Sequence, residues 1–572
     1  MRTNGRRALR ALALLTAGLV LAGCASIPST GPVTSGERIS RKTQDFTLDY
    51  IPQGPAKGAS PGEILRGFVE AASSPQGDYE VARKYLTTRL QQSWDADASV
   101  TIDDGRSYKQ LGDGSWQLSV TPLAEIDDTG AYRESASSKP ITLRYTLKKN
   151  SAGQWRISQA PDGVVLDEPT FRTVFTSRAL YFFDPRFEYL VPDLRWFPAR
   201  VSTPTRVVKA LLAGPSKWLG QGALATAFPQ GTKLTVDAVP TDDGTAEVDL
   251  NDAATGANRL TLERMKYQLQ RSLLDGVAVG SVRISINGRV QQNIPDLSGA
   301  HLPISDPQVD PRPLVERAGV FGFASGTTTT RLTGISAEVA RLHPSAVTIS
   351  ADQQTAAVLS AGGVDVVSAR TGAPRRVDAR SGLIAPALGP DGDVWTVPGA
   401  HPDALIATSP SGERTKVGVS WTGVDAIRSL QLSRDGTRVV AVLAAGSRTS
   451  LVVAAVIRGK DGRPVRLGQP LELPAGTGSI LSATWVDQLT VASLSRTTSG
   501  AHYRTQVTTQ QIGGQSSSTG GPDDGRVIVG GSGSPSTWVL TTGGSLQASN
   551  GTGWQERATK VSVLATQQGA PH

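Results

Sequence analysis

Five times between residues 349 and 525 the chain carries an aspartate-bearing turn next to a short apolar segment. The turns are Ile349-Ser-Ala-Asp352, Leu388-Gly-Pro-Asp-Gly392, Leu432-Ser-Arg-Asp-Gly436, Trp485-Val-Asp487 and Gly521-Pro-Asp-Asp-Gly525. From aspartate to aspartate the intervals are 39, 44, 52 and 37 residues. Intervals of this length separate the blades of a β-propeller, in which each blade is one small antiparallel sheet. After four of the turns an apolar strand returns, at residues 356–359, 394–397, 439–443 and 489–491, as an inner hairpin requires. Residues 316–568 at ~45 per blade make about five to six blades, with a two-sheet sandwich as the competing β architecture. The aspartates read as turn residues, because Asp before Gly supports left-handed backbone and no dense acidic array accompanies them.

Composition agrees with a chain rich in turns and strands. Gly and Pro number 61 and 35 among 572 residues, while hydrophobic residues make up 38% and charged residues 19%. Neither a disordered polyelectrolyte nor a polytopic membrane protein has this balance. The length leaves room for three or four cored units. Cys24 is the single cysteine, so no disulfide within the chain and no multi-cysteine metal site is expected. His301, His343, His401, His502 and His572 are placed in loops or at the terminus and show no paired-ligand spacing. Gly58-Ala-Ser60-Pro-Gly62 matches a nucleophile elbow in form, but it follows no strand, and Pro61 instead makes Ser60 a helix cap. No catalytic residue, cofactor or metal is expected, and an envelope hydrolase is the minor enzymatic alternative.

The N-terminus has a distinct character. Arg2, Arg6, Arg7 and Arg10 precede an apolar run over residues 11–22, the layout of a secretory signal. The run is too short to cross a bilayer as a helix. It ends Leu21-Ala22-Gly23-Cys24, which resembles a bacterial lipobox. That resemblance implies cleavage between Gly23 and Cys24, an S-diacylglyceryl group on Cys24 and an acyl group on its new amine. The membrane lipid is then the first expected partner, and the location is the extracytoplasmic face of the cell membrane. Residues 1–23 form the signal, and residues 24–58, with Pro28, Gly31, Pro32, Gly36, Pro52, Gly54 and Pro55, an extended tether. Loss of the four arginines lowers the formal charge from +8 to about +4. No basic run interleaved with aromatics follows, so nucleic acid is not an expected partner.

Two α+β units fill the middle of the chain. In residues 59–168, Ser60-Pro61-Gly62-Glu63 starts a helix with Ile64, Leu65, Phe68, Val69 and Ala72 on one face. Asp78 is expected to cap a second helix carrying Val81, Ala82, Tyr85 and Leu86. Strands alternating at Trp116/Leu118/Val120 and Ile141/Leu143/Tyr145/Leu147 follow, with turns at Asp103-Asp104-Gly105 and Asp127-Asp128-Thr129-Gly130. This order of elements is similar to the cone-shaped NTF2-like group. In residues 169–295, strands near 178–184 and 189–195 precede a helix from Thr203 to the stop at Gly214-Pro215. A hairpin is expected to join residues 234–238 to 246–250 around Asp242-Asp243-Gly244. A helix with Leu262, Met265, Leu269 and Leu273 and a strand ending at Asn287-Gly288 complete the unit. Pro303, Pro307, Pro311 and Pro313 mark residues 296–315 as a stiff linker.

Several of these segments carry a resemblance. Leu-Val-Pro-Asp-Leu-Arg at 190–195, Ala-Leu-Leu-Ala-Gly-Pro at 210–215, Ala-Phe-Pro-Gln-Gly-Thr at 227–232, Glu-Val-Asp-Leu at 247–250 and Val-Arg-Ile-Ser-Ile-Asn-Gly at 282–288 look like a GerMN domain. Lipobox, GerMN-like unit and propeller in that order resemble the LpqB family of actinobacterial lipoproteins. The resemblance implies a non-enzymatic accessory that contacts the extracytoplasmic domain of the sensor kinase MtrB and modulates MtrAB two-component signalling in division and envelope homeostasis. The alternative is a binder of a small ligand or cell-wall glycan through the propeller face. Of the tryptophans that a sugar surface could use, Trp395 and Trp485 read as blade core, whereas Trp421, Trp538 and Trp554 stay open.

Overall fold

In the computed structural model the described residues are 52–568, apart from 136–138, 200–202, 221, 275–278, 500–501, 533–536 and 552. Gly23, Cys24, most of the expected tether and His572 lie outside them.

Helix α1 (Pro61–Ala71) begins as its sequence demands. Ser60 Oγ accepts from Glu63 N and Glu63 Oε2 accepts from Ser60 N at 2.7 Å, closing a capping box. Ile64, Leu65, Phe68, Val69 and Ala72 are all buried. The next two helices, α2 (Glu80–Arg83) and α3 (Thr88–Ser93), are short. Asp78 caps neither of them. The α2 cap position is Tyr79 in left-handed backbone, and Asp78 pairs with Arg83 at 2.9 Å instead. Residues 52–58 belong to this unit rather than to a free tether, since Pro52 is buried, Gln53 O accepts from Tyr85 Oη and Gly58 N donates to Gln154 Oε1.

The helices pack on a sheet of β1 (Ser99–Gly112), β2 (Ser115–Asp127), β3 (Tyr132–Glu134), β4 (Ile141–Lys149), β5 (Trp155–Gln159) and β6 (Val164–Asp167), with β5-β4-β2-β1-β6 as the main order. Asp103-Asp104-Gly105 is not a turn. It is an irregularity inside β1, where the register against β2 shifts at residues 102–106 and buried Asp103 pairs with Arg106 at 2.6 Å. The local turn signal is overruled there by the pairing of the flanking residues with β2 and β6, which holds the segment in the strand. The turn at 127–130 forms as expected, with Asp127 Oδ1 accepting from Thr129 N and Ala131 N.

Helix α4 (Glu168–Val174) leads into a second unit built on β7 (Phe175–Phe183) and β8 (Tyr189–Pro198). Helix α5 (Thr203–Ala213) buries Val207, Val208 and Leu211 and ends at Gly214, whose φ is 97°. Strands β9 (Thr241–Asp242) and β10 (Thr245–Leu250) make the hairpin at Asp243-Gly244. Residues 234–238 contribute only an isolated bridge, Leu234 to Leu250, and Val236 is 65% exposed. Helix α6 (Arg259–Leu273) crosses over and β11 (Ser281–Ile286) returns parallel to β10. Asn287 and Gly288 both take positive φ, as a two-residue turn into β12 (Arg289–Val290) needs. The proline-rich stretch is docked rather than free, since β13 (Ile304–Ser305) pairs in parallel with β8.

From residue 314 onward six sheets of four or five strands follow one another as the blades of a propeller. Blade 1 takes three strands from residues 314–330, and its innermost strand, Val561–Leu564, comes from the far end of the chain and pairs antiparallel with Leu314–Arg317. The ring is thereby closed and its sheet edges are short. Four of the aspartate turns join the first and second strands of blades 2 to 5. Pro522-Asp-Asp-Gly525 instead sits between blades 5 and 6. In the hairpin turns the left-handed residue follows the aspartate, as at Gln353, Gly392 and Gly436, while Asp435 accepts from Ser433 Oγ and Thr437 N. Trp395, Trp485 and Trp538 are buried in the blades; Trp421 and Trp554 are half-buried. His301 falls in a short 3-10 helix, His343 and His401 in loops, and His502 opens a strand of blade 5 rather than a loop.

Candidate functional site

Strand β8 carries Leu-Val-Pro-Asp-Leu-Arg-Trp at 190–196, and this strand is where the three units meet. Asp193 and Arg195 lie on the same side of the strand, being two residues apart. Both are almost fully buried, and Arg195 Nη2 donates to Asp193 Oδ2 at 2.7 Å. Each also reaches outward. Arg195 Nη1 donates to Thr129 O of the first unit at 2.8 Å, and Asp193 accepts from Ser216 N and Ser216 Oγ just beyond α5. Trp196 packs on Tyr132 and Phe171 and donates its Nε1 proton to Gly513 O of blade 5 at 2.8 Å. Gln488 Nε2 donates to Leu190 O. Glu134 accepts from Ser516 N and Ser516 Oγ across the same boundary, and burial pushes its carboxyl above the ordinary range.

These contacts share one end of the propeller. Gln488 and Asp391, which accepts from Arg186 at 2.7 Å, lie in turns between first and second strands, while Gly513 and Ser516 lie at a turn between third and fourth strands. In antiparallel blades both kinds of turn fall at the same end. The axis is crossed there as well. Arg434, from the blade 4 turn, donates to Pro307 O, Val486 O and Gly531 O, and Gln568 Nε2 donates to Ser433 O and Arg434 O. Burial lowers the Arg434 guanidinium below its ordinary pKa. The mouth at this covered end is therefore filled by protein. The opposite end carries the turns between second and third strands, such as Ala445-Gly446, and the connections between blades, including Trp421.

Beside the hub lies a cavity of about 330 Å3 with walls from all three units. Asp127 and Tyr132 come from the first unit, Asp193 and Trp218 from the second, and Arg438 and Ile512 from the propeller. Arg438 Nη2 donates to Asp435 at 2.6 Å, and its guanidinium carbon stands 5.2 Å from the centre of the Trp485 ring. Sequence reasoning took Asp193 and Arg195 only as landmarks and missed Arg438. The one available signal was that the blade 4 turn, Ser433-Arg-Asp-Gly-Thr-Arg438, holds two arginines where a solvated turn needs none. Ser60 is fully used as a cap, its Oγ donating to Glu63 Oε2 at 2.8 Å. Among the described residues no group of three or more His, Cys, Asp or Glu side chains could hold a metal ion, and no helix is long and apolar enough to cross a membrane.

Comparison with known proteins follows the same three-part division. Residues 54–172 match the model for the Lipoprotein LpqB N-terminal domain, residues 179–292 one for sporulation and spore germination, and residues 319–565 the Lipoprotein LpqB beta-propeller domain. Lipoprotein LpqB of Cutibacterium acnes is 27% identical over 534 residues, covering 86% of this chain and 87% of that one. Lipoprotein LpqB of Mycobacterium tuberculosis is 27% identical over 528 residues, covering 84% and 85%. Among solved structures, TolB from Acinetobacter baumannii is 14% identical with a TM-score of 0.34, covering 45% of this chain and 66% of that one. The two models named for one lipoprotein together span more than half of the sequence, and relatives of that name align along most of it. The chain belongs to the LpqB lipoprotein family.

Proposed function

We propose that the chain is a lipid-anchored, extracytoplasmic and non-enzymatic accessory of an MtrB-type sensor kinase, modulating MtrAB signalling in envelope homeostasis and division. The observation that carries this reading is Leu21-Ala22-Gly23-Cys24 after a basic and apolar leader, with Cys24 the single cysteine available for acylation. Two or three acyl chains hold a protein on a bilayer where one holds it only marginally. Family relatives are named for a lipoprotein and not for an enzyme. The packing supports a presenting role: two units close one end of the propeller, so the opposite rim of loops is the surface left for a partner.

A second reading, binding of a cell-wall glycan, is favoured by Trp421. This half-buried ring lies on the open end, and its Nε1 has no hydrogen-bond partner among the described residues. Capture of the full acylated chain from solubilised membranes, followed by identification of what co-purifies, separates the two. Recovery of the sensor kinase is the expected outcome, with Cys24→Ala shifting the chain to the unprocessed or unretained fraction. Recovery of glycan without kinase reverses the order of the readings, and unchanged membrane partition with normal cleavage of Cys24→Ala removes the anchor.

A further inference from the structure

The three-unit cavity has the size and chemistry of a site for a small molecule. Its volume of about 330 Å3 lies at the lower end of the range for ligand pockets. Leu194, Trp218, Leu471, Leu489 and Ile512 give it apolar surface from two units. Against that surface stands Arg438, wholly buried, with an Nε proton that meets no acceptor. Asp435 does not supply one: its Oδ1 accepts from Ser433 and Thr437, and its Oδ2 meets Arg438 through Nη2 and not through Nε. A buried donor left unmade is rare, because nothing compensates its lost hydration. Arg438 is one of the residues lining the cavity, so a ligand oxygen brought against it there is the candidate for the missing acceptor.

The other charges on the walls select the kind of oxygen. Asp127 and Asp193 are taken, the first by Thr129 and Ala131 and the second by Arg195 and Ser216. Arg133 and Lys217 also line the cavity, are exposed, and have no carboxylate partner among the described residues. Asp193 is paired with Arg195 and Arg438 with Asp435, so the unpaired charges on the walls are Arg133 and Lys217 against Asp127, a net positive balance. We propose that this cavity binds a compact amphipathic anion, a medium-chain monocarboxylate, with its carboxylate on Arg438 and its hydrocarbon against Trp218, Leu489 and Ile512. Such a ligand fits only the assembled walls, so it stabilises the docked arrangement of the three units by mass action. This site is separate from the kinase contact and from the open rim, so its failure leaves that reading standing.

The test is calorimetric titration of the full mature chain with octanoate and, separately, with octanol. Saturable binding of one octanoate per chain is expected, with octanol weaker by on the order of tenfold because it lacks the charge-assisted bond. Arg438→Met should weaken octanoate by on the order of tenfold for the same reason. It also leaves Asp435 without its cation, so two variants clear of that pair accompany it. Leu489→Trp fills the space and should abolish binding in a chain with unchanged circular dichroism, and Lys217→Gln should weaken it by about threefold, the scale of a rim charge. Absence of saturable octanoate binding to the unsubstituted chain overturns the proposal. So does octanol binding as tightly as octanoate, or octanoate affinity untouched by Leu489→Trp.

Discussion

Asp193 and Arg195 are a buried pair whose members are each hydrogen-bonded to a different neighbour, so their removal one at a time and together should have very different effects. Asp193→Ala strands a guanidinium in the interior and should cost about 3–5 kcal/mol in urea denaturation. Asp193→Leu combined with Arg195→Met, which replaces both charges by apolar side chains, should cost markedly less. Asp378 gives a pH-dependent counterpart. Burial alone would raise its pKa, but hydrogen bonds from Arg380 and Thr396 outweigh that and hold it at about 2. Its unfolded value is ~3.9, so its contribution is present above pH ~4 and disappears as pH falls toward 2. An acid titration followed by circular dichroism should show that loss in the natural chain, and Asp378→Asn should lack this component. At this scale the sequence was readable where the local contact needed no support from other strands. Ser60 and Glu63 are three residues apart and capped as expected, whereas Asp103 looked like a turn residue because the Arg106 pairing depends on a bulge that only the neighbouring strands impose.

The innermost strand of blade 1 is the element on which the ring depends. Deleting residues 561–568 would leave Leu314–Arg317 with an unpaired edge and remove Gln568 from the covered mouth. The shortened chain should be cleaved within the propeller by limited proteolysis that spares the natural chain, and should self-associate on gel filtration. The blades themselves were legible because the same turn chemistry recurs at the inner hairpins of blades 2 to 5. Pro522-Asp-Asp-Gly525 had that chemistry and a different place, since a turn between blades uses the same residues as a turn within one. The closing strand carried no comparable mark: residues 561–564 read as any short β segment, and their partners are about 246 positions away.

Across the whole molecule, the three units form one assembly through contacts that no local pattern encodes. Glu134 and Ser516, for instance, are 382 residues apart. The proline-rich stretch at 296–315 looked like a spacer, yet β13 adds to the second unit and Pro307 accepts from Arg434 at the propeller mouth. Trp196→Ala removes the indole bond to Gly513 and the ring packing on Tyr132 and Phe171. Hydrogen exchange over residues 512–520 and the solution radius of gyration should both rise, while exchange in blades 2 and 3 stays as it was. The propeller's first sheet borrows its axial strand from residues made about 246 positions later, and this fixes an order of events. A chain that emerges N-terminus first therefore holds its first blade open, one strand short, until nearly its last residues arrive, and the ring seals only at the end.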